Sequence, residues 1–219
     1  MLLGLLQSAP LVFALIAVIL LYSLALHELG HAWVADRVGD KTARNLGRVT
    51  LNPVKHLDPI GTLLILVVGF GWAKPVPIRP DNFRNYRVGM FLVSIAGVVI
   101  NVLIALLCLF ALRALGITLG NVQQIFPQAD GTLTNPLAYG LFFAAQINIL
   151  LAVFNLFPIP PLDGSKVLQA FAPASWQRGL WQLERYGFFI VIGLVVFFDD
   201  QVFGFINAIT VWLMRLVLG

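Results

Sequence analysis

Charged side chains are scarce in this sequence, and cysteine is nearly absent. Only 11% of the 219 residues are Asp, Glu, Lys or Arg, whereas 59% are hydrophobic and the mean hydropathy is +0.90. Soluble domains carry roughly 25% charged residues, so this composition excludes a soluble globular protein and indicates a membrane protein. The single cysteine, Cys108, excludes an intramolecular disulfide and a zinc site built from several thiolates. It lies in an apolar run, where it is expected to pack as a small hydrophobic residue.

Flexible linkers and blocks of like charge are also missing. We therefore expect a single intramembrane domain over residues 1–219, with a core at about 10–170 and, at 180–218, either two spans or a helical hairpin. The net charge of +4 does not indicate a nucleic-acid partner, because the basic residues flank apolar runs and so report orientation in a membrane. No pattern in the sequence specifies an oligomeric state.

Several apolar runs have the composition of membrane-spanning helices, which need about 20 residues to cross the hydrocarbon core. They lie at residues 11–34, 88–112, 135–157, 186–198 and 202–218. A shorter run at 60–70 is expected to re-enter the membrane rather than cross it, and the alternation at Arg48–Leu51 predicts a weak strand. The sequence predicts an all-α polytopic membrane protein with five or six transmembrane or re-entrant helices and a small β-like segment around residues 45–80.

The basic residues predict an orientation in the cell membrane. If residues 60–70 do not cross, thirteen of the fourteen Lys and Arg lie on one side, including Arg215, and only Arg113 lies opposite with the pair Asp199 and Asp200. Positive charge accumulates on the cytosolic side of membrane proteins. We therefore expect a multi-pass protein with its N-terminus outside and its basic loops in the cytosol.

The first apolar run contains His27-Glu28-Leu29-Gly30-His31, which matches the pattern HExxH. Residues four apart share one face of a helix, so His27 and His31 can bind one Zn²⁺ while Glu28 acts as the base on a water molecule. A charged group in a membrane span costs ~2.5 kcal/mol or more on insertion scales, and such residues are functional by default. The pattern therefore predicts an intramembrane metal site.

A catalytic zinc needs a third protein ligand, and Asp163 is the favoured candidate. His27 lies about 24 Å along the first helix at ~1.5 Å per residue, and Asp163 follows a span that ends at a similar depth. Glu184 and His56 are the alternatives: Glu184 precedes Arg185 and is explained by a surface ion pair, and His56 by a loop position. Asn155, near the same depth, is expected either to bind the substrate backbone or oxyanion or to form an interhelical hydrogen bond.

The HExxH stretch and residues 155–164, Asn-Leu-Phe-Pro-Ile-Pro-Pro-Leu-Asp-Gly, resemble the motifs of the site-2 protease family of intramembrane zinc metalloproteases. The resemblance implies that His27, His31 and Asp163 bind zinc and that Glu28 is the catalytic base. It extends to residues 52–61, 72–77 and 96–101, although Val98 stands where short bacterial members usually have proline. It covers roughly residues 20–170, and no PDZ insertion or CBS domain is evident.

These observations predict an intramembrane zinc metalloprotease with one Zn²⁺ per chain that cleaves peptide bonds in or near transmembrane segments of membrane-protein substrates. The core at about residues 10–170 is then the catalytic core of a single intramembrane protease domain. A substrate helix must unwind before its carbonyls can react, and Arg48–Leu51 is expected to offer a strand edge to it. The alternatives are a non-catalytic homologue that binds membrane helices and a divalent-metal transporter. A transporter would spread its ligands along a path, whereas these candidates cluster near one face.

Overall fold

The computed structural model describes residues 2–68, 71–128 and 132–219, in which nine α-helices dominate. They are α1 (Leu2–Ser8), α2 (Pro10–Val38), α3 (Thr42–Asn45), α4 (Pro59–Val68), α5 (Tyr86–Ala114), α6 (Pro136–Asn155), α7 (Asp163–Phe171), α8 (Ala174–Phe197) and α9 (Asp199–Leu218). The described residues contain no β-strand. The β-like segment expected around residues 45–80 is reduced to one antiparallel bridge between Leu57 and Ala73. The all-α polytopic architecture is confirmed.

Four helices, α2, α5, α6 and α9, are long and apolar enough to cross a membrane. Asparagine side chains fix where two of them begin, because Asn85 accepts a hydrogen bond from Val88 N and Asn135 accepts one from Ala138 N. A cluster of buried residues joins α5, α6 and α9, and α2 packs against both α5 and α6. Cys108 packs against that cluster as expected.

The residues that flank the apolar run at 60–70 lie next to each other in the structure. Its first part forms α4, and residues 69 and 70 lie outside the described residues. Leu57 and Ala73 pair on either side of it, and Lys74 N donates to His56 O over 2.9 Å. Gly61 and Gly71 permit the return, since a Cβ on Gly71 would lie only 2.7 Å from Ile65 Cγ1. Both ends of the segment therefore lie on one side of the bundle.

The predicted strand at Arg48–Leu51 is wrong. Val49, Thr50 and Leu51 form bends, and what this region contributes is the Arg48 side chain. Its guanidinium donates to Lys74 O over 2.7 Å and to Pro75 O over 3.1 Å. Arg48 is buried, so these two bonds satisfy donors that could otherwise not reach water. They hold Lys74 and Pro75 against the loop that follows α3 instead of forming a sheet edge.

The prediction that Arg215 lies on the side of the basic loops is also wrong. Arg113, at the end of α5, donates from Nη1 to Leu218 O over 2.8 Å, so α9 ends beside α5. Phe205, near the beginning of α9, contacts Phe157 just beyond the end of α6, with ring centroids 6.2 Å apart. The helix α9 therefore runs parallel to α5, which places Arg215 on the side of Arg113.

The error arose because α8 does not cross the bundle. It follows α7, whose Phe171 contacts Phe91 near the beginning of α5, and it leads directly into α9 on that same side. Asp199 and Asp200 consequently lie on the side of the basic loops. Twelve of the fourteen Lys and Arg still share that side, so the charge asymmetry persists without Arg215.

Asp40 holds the basic loop after α2 together. It is fully buried and accepts hydrogen bonds from Thr42 N, Thr42 Oγ1, Arg79 N and Asn82 Nδ2 over 2.5–3.1 Å. Burial alone would raise the pKa of this carboxyl, but the hydrogen bonds from Arg79, Thr42 and Asn82 outweigh it and leave the pKa below its usual value. The carboxylate thus ties the end of α2 to residues 79–82.

The Asp40→Asn protein is expected to unfold at a lower temperature than the wild type at pH 7. Because folding lowers the pKa of Asp40, its carboxylate contributes stability at neutral pH, and that contribution is lost as the pH falls below about 4. Thermal unfolding in detergent at pH 7 and at about pH 2.5 measures both effects. The gap between wild type and variant should narrow at the lower pH, while Asp200→Asn, an exposed control, should behave like the wild type. A gap independent of pH would contradict this role.

Candidate metal centre

His27, His31 and Asp163 meet in the interior of the bundle. His27 Nε2 lies 3.0 Å from His31 Nε2, and each lies 3.1 Å from Asp163 Oδ2. The two histidines project from one face of α2. The aspartate is the first residue of α7, and a proline-containing turn separates α7 from α6. All three side chains are buried, at 5%, 6% and 6% exposure. The residues predicted as ligands are therefore in one place.

The hydrogen bonds of the two imidazoles decide which nitrogens carry protons. His31 Nδ1 lies 2.7 Å from Val93 O, and a carbonyl oxygen can only accept, so Nδ1 is the protonated atom. His27 Nδ1 lies 2.5 Å from Asn101 Oδ1, another acceptor. In neutral histidines this leaves both Nε2 atoms with lone pairs that face Asp163.

A buried relay fixes the orientation of Asn101 itself. Asn148 Nδ2 donates to Ala144 O and to Ser23 Oγ, each over 2.8 Å, which turns Asn148 Oδ1 toward Asn101 Nδ2 at 2.7 Å. Because one amide hydrogen bond determines the next, Asn101 must present its oxygen to His27. Asn101 and Asn148 are fully buried. Three membrane-spanning helices, α2, α5 and α6, thus set the tautomer of one histidine.

This arrangement fits a zinc ion. Three hydrogen-bond acceptors lie within 3.1 Å of one another, and Asp163 Oδ2 has no hydrogen-bond partner. Tetrahedral zinc with bonds of ~2.0–2.2 Å separates its ligand atoms by about 3.3 Å, close to these distances. Two imidazoles and one carboxylate are a common ligand set of catalytic zinc, which keeps a fourth position for water. The group can hold one such ion.

Replacing Asn101 by leucine is expected to lower zinc affinity by roughly 10- to 100-fold, as is typical when the partner of a metal-binding histidine is lost. The change removes the acceptor that keeps the proton on His27 Nδ1. Competition with a chromophoric chelator measures the affinity, and the ¹⁵N shifts of His27 in metal-free protein report the tautomer. Thr210→Val, a buried polar residue of α9 bonded only within its own helix, is the control. Unchanged affinity in Asn101→Leu would rule out the relay.

Glycines allow α2 and α5 to approach at this point. A Cβ on Gly97 would lie 2.5 Å from His27 Nε2 and 2.6 Å from His31 Nε2, so only hydrogen fits there. Gly30, within the HExxH stretch, packs on α5, where a Cβ would lie 3.2 Å from Ala96 O. The α5 backbone therefore forms one wall of the site.

Glu28 is half-buried and faces the segment that follows Ala73. Its Oε2 accepts a hydrogen bond from Val76 N over 3.0 Å. Val76 stands between two prolines in an extended stretch, so its N–H is the one such donor between residues 75 and 77. The two bonds from Arg48 fix this stretch immediately before Val76. The carboxylate is thereby held close to His27 without belonging to the group of three residues that could hold a metal ion.

A cavity of about 430 Å³ opens from the metal centre toward the basic loops. His31 and Asp163 line its inner part, and the exposed side chains of Asp81, Tyr86 and Glu184 line its outer part. Its volume falls in the ~300–1,000 Å³ range of ligand-binding pockets. The cavity connects the buried His31 and Asp163 side chains to the surface.

The other candidate residues lie elsewhere. Glu184 lines the cavity but is not part of the metal-binding group found among the described residues. His56 lies in a turn between helices, as expected, but its side chain is fully buried, and its Nε2 lies 2.9 Å from Thr50 O. Its side chain fixes the loop at Thr50, and its backbone oxygen accepts the hydrogen bond from Lys74 N. Asn155 Nδ2 donates to Leu151 O over 2.9 Å, which leaves one amide hydrogen for another partner.

Sequence reasoning missed three contributors to the site, namely Asn148, Ser23 and Val76. A polar residue in an apolar span was the available signal for Asn148, and it lies seven residues before Asn155. Ser23 is four residues before His27, on the same face of α2, and this spacing could have indicated its role. Val76 acts through its backbone, so its side chain carried no signal.

Comparison with known proteins agrees with this geometry. The profile of Peptidase family M50 matches residues 15–198. YwhC of Bacillus subtilis is 41% identical over 83% of this chain and 80% of its own length, and Rip2 of Mycolicibacterium smegmatis is 31% identical over 84% and 68%. MJ0392 of Methanocaldococcus jannaschii is 30% identical over 72% of this chain and 34% of its own length.

All three relatives carry the words zinc metalloprotease in their names, and no solved structure matches the chain. The profile match covers most of the chain and agrees with four apolar helices around a group of zinc-binding residue types. This chain belongs to Peptidase family M50, the site-2 protease family, and is a zinc metalloprotease of the multi-pass membrane type.

Proposed function

We propose that this protein hydrolyses peptide bonds in or next to transmembrane segments of membrane-protein substrates. In this proposal His27, His31 and Asp163 hold one zinc ion and Glu28 is the catalytic base. The observation that carries it is the meeting of three acceptor atoms, 3.0–3.1 Å apart, inside a bundle of spanning helices. Their mutual repulsion favours a bound cation, and Glu28 is next to His27 in sequence.

Bound zinc lowers the pKa of a water molecule and polarises a peptide carbonyl. Glu28 takes a proton from the attacking water and returns it to the nitrogen of the leaving amine, so that the carboxylate is regenerated. Val76 N–H keeps one oxygen of Glu28 oriented and leaves the other free to accept the proton. The Asn155 amide, with one unused hydrogen, stabilises the oxyanion in this proposal.

The substrate must present an extended backbone to this site. A transmembrane helix uses its carbonyls in internal hydrogen bonds, so the segment to be cut has to unwind locally. The stretch around Val76 replaces Arg48–Leu51 as the candidate edge for the unwound chain, because it is extended and borders both Glu28 and the cavity. The cavity supplies the water that the surrounding apolar helices exclude.

In the proposed orientation the cavity opens toward the cytosol, and both ends of the chain lie on the extracellular side of the cell membrane. Support comes from twelve of the fourteen Lys and Arg, which lie on the side where the cavity opens. Arg113 and Arg215 are the two on the other side. Labelling of single cysteines introduced in the loop after α2 and in the loop before α6 tests the assignment.

Cleavage of a reporter transmembrane peptide by the purified protein in liposomes tests the function. We expect cleavage within or near the apolar segment, loss of activity with a zinc chelator, and recovery when zinc is restored. Binding of the peptide without any cleavage in the zinc-loaded protein would favour the non-catalytic alternative instead. Zinc flux across the liposome membrane would favour a transporter.

A further inference from the structure

We infer that the cavity is a substrate subsite that takes the basic, membrane-flanking end of the substrate in an extended form. In this subsite Gln169 binds a backbone carbonyl of the substrate, while Asp81 and Glu184 bind a Lys or Arg side chain. The inference rests on the proposed function, because it assigns part of the substrate to a place next to the metal centre. It states that the substrate carries a basic residue and how far this residue lies from the cleaved bond.

Gln169 is the first observation behind this subsite. Its side chain lines the cavity, is only 7% exposed, and its Nε2 has no hydrogen-bond partner. A buried amide donor without a partner costs roughly 1–3 kcal/mol, so such a group calls for a specific explanation. A carbonyl of an extended peptide is a suitable acceptor, since unwinding a substrate helix frees its carbonyls.

The geometry of α7 places Gln169 at a useful distance from the reacting bond. Asp163, Lys166 and Gln169 follow one another at every third position and all line the cavity. Gln169 therefore lies about 9 Å further along the helix than Asp163, at ~1.5 Å per residue. An extended chain covers that distance in about three residues.

Charge is the second observation. Outside the metal centre, the charged residues that line the cavity are Asp81, Glu184 and Lys166. Lys166 faces inward, with Nζ 3.9 Å from Asp163 Oδ1, whereas the two acidic residues are exposed. Asp81 and Glu184 thus place negative charge at the opening of the cavity, although this side of the protein is otherwise rich in Lys and Arg. Membrane proteins carry Lys and Arg at the cytosolic ends of their spans, which complements this pair.

The length of the cavity sets where that basic residue belongs. Tyr86 and Ser94 line it at its outer and inner parts along α5, about 12 Å apart at ~1.5 Å per residue. An extended peptide of ~3.3 Å per residue covers 12 Å in about four residues. The subsite therefore prefers a Lys or Arg roughly four residues from the cleaved bond, on the flank that faces the basic side.

A peptide series tests the preference. Reporter peptides carry one Lys at positions one to seven from the cleaved bond, and each is measured for kcat/KM with the wild type and for binding to the zinc-loaded Glu28→Gln protein. We expect an optimum near position four, with about three- to tenfold tighter binding than a peptide with a neutral flank. The binding arm needs no turnover, so it decides the inference even if the proposed hydrolysis is wrong. A flat profile in that arm overturns the subsite, whereas binding without cleavage in the wild type overturns only the proposed function.

Two sets of variants separate the charge from the backbone contact. In the Asp81→Lys/Glu184→Lys protein the preferred residue at the optimum should change from Lys to Glu. Gln169→Met, which has a similar length but no donor, should raise KM by up to roughly tenfold with little change in kcat, for all peptides alike. Leu216→Ala, on an exposed position of α9, is the control for the peptide series. An unchanged charge preference after double reversal, or a loss of kcat alone in Gln169→Met, would overturn the assignment.

Discussion

Replacement of Glu28 by glutamine is expected to abolish peptide cleavage while one zinc ion per chain stays bound. Glutamine has the size of glutamate and an oxygen that can still accept the hydrogen bond from Val76 N. It has no basic carboxylate, so it cannot take a proton from water. Loss of a general base lowers the rate by about 10²–10⁴-fold, and kcat should fall by this amount with little change in KM.

Metal analysis of the same preparation distinguishes this result from a loss of zinc. Because His27, His31 and Asp163 are all intact in the Glu28→Gln protein, zinc content and chelator affinity should match the wild type. Tyr22→Phe, a half-exposed position on α2, is the control for handling and reconstitution. If Glu28→Gln retains a tenth or more of wild-type turnover, Glu28 is not the base.

Replacement of Asp163 by asparagine is expected to remove both zinc and activity. The carboxylate is the only negative charge among the three proposed ligands, and its Oδ2 lies 3.1 Å from each imidazole. A neutral amide oxygen leaves two imidazoles and a weak donor to hold a dication. Loss of a direct ligand should exceed the ~10–100-fold drop in affinity that follows loss of an outer partner.

Ser165→Ala is the matched control for this change. Ser165 lies in the same first turn of α7, is 2% exposed, and donates to Leu162 O over 2.7 Å. It should lose some stability and keep its zinc. Full zinc affinity in Asp163→Asn would remove Asp163 from the proposed ligand set, and Glu184 would then have to be tested in its place.

Much of the site could be predicted from the sequence because its elements obey local rules. The spacing of His27 and His31 is one helical turn, and the prolines after α6 terminate that helix wherever it lies in the bundle. The depth of Asp163 in the membrane could be predicted from the lengths of the first span and of the span that precedes Asp163. These features depend on chain geometry, which operates over a few residues.

The strand at Arg48–Leu51 and the direction of α9 could not be predicted on the same grounds. The first fails because Arg48 bonds to Lys74 and Pro75 through its side chain, a contact across more than 25 residues. The second depends on whether α8 crosses, and only the second half of α8, residues 186–197, has the apolar composition of a span. Only the position of its two ends, fixed by α7 and by the hydrogen bond from Arg113 to Leu218, decides this.

The close contact at Gly97 determines how zinc exchanges with solvent. Since the α5 backbone lies directly against both imidazoles, an incoming ion or chelator cannot pass on that side. The cavity lined by His31 and Asp163 offers a path for metal exchange, and in the proposed function the substrate enters through the same cavity. A peptide or inhibitor seated there therefore traps the ion, so the rate of zinc loss to a chelator measures how fully the cavity is occupied.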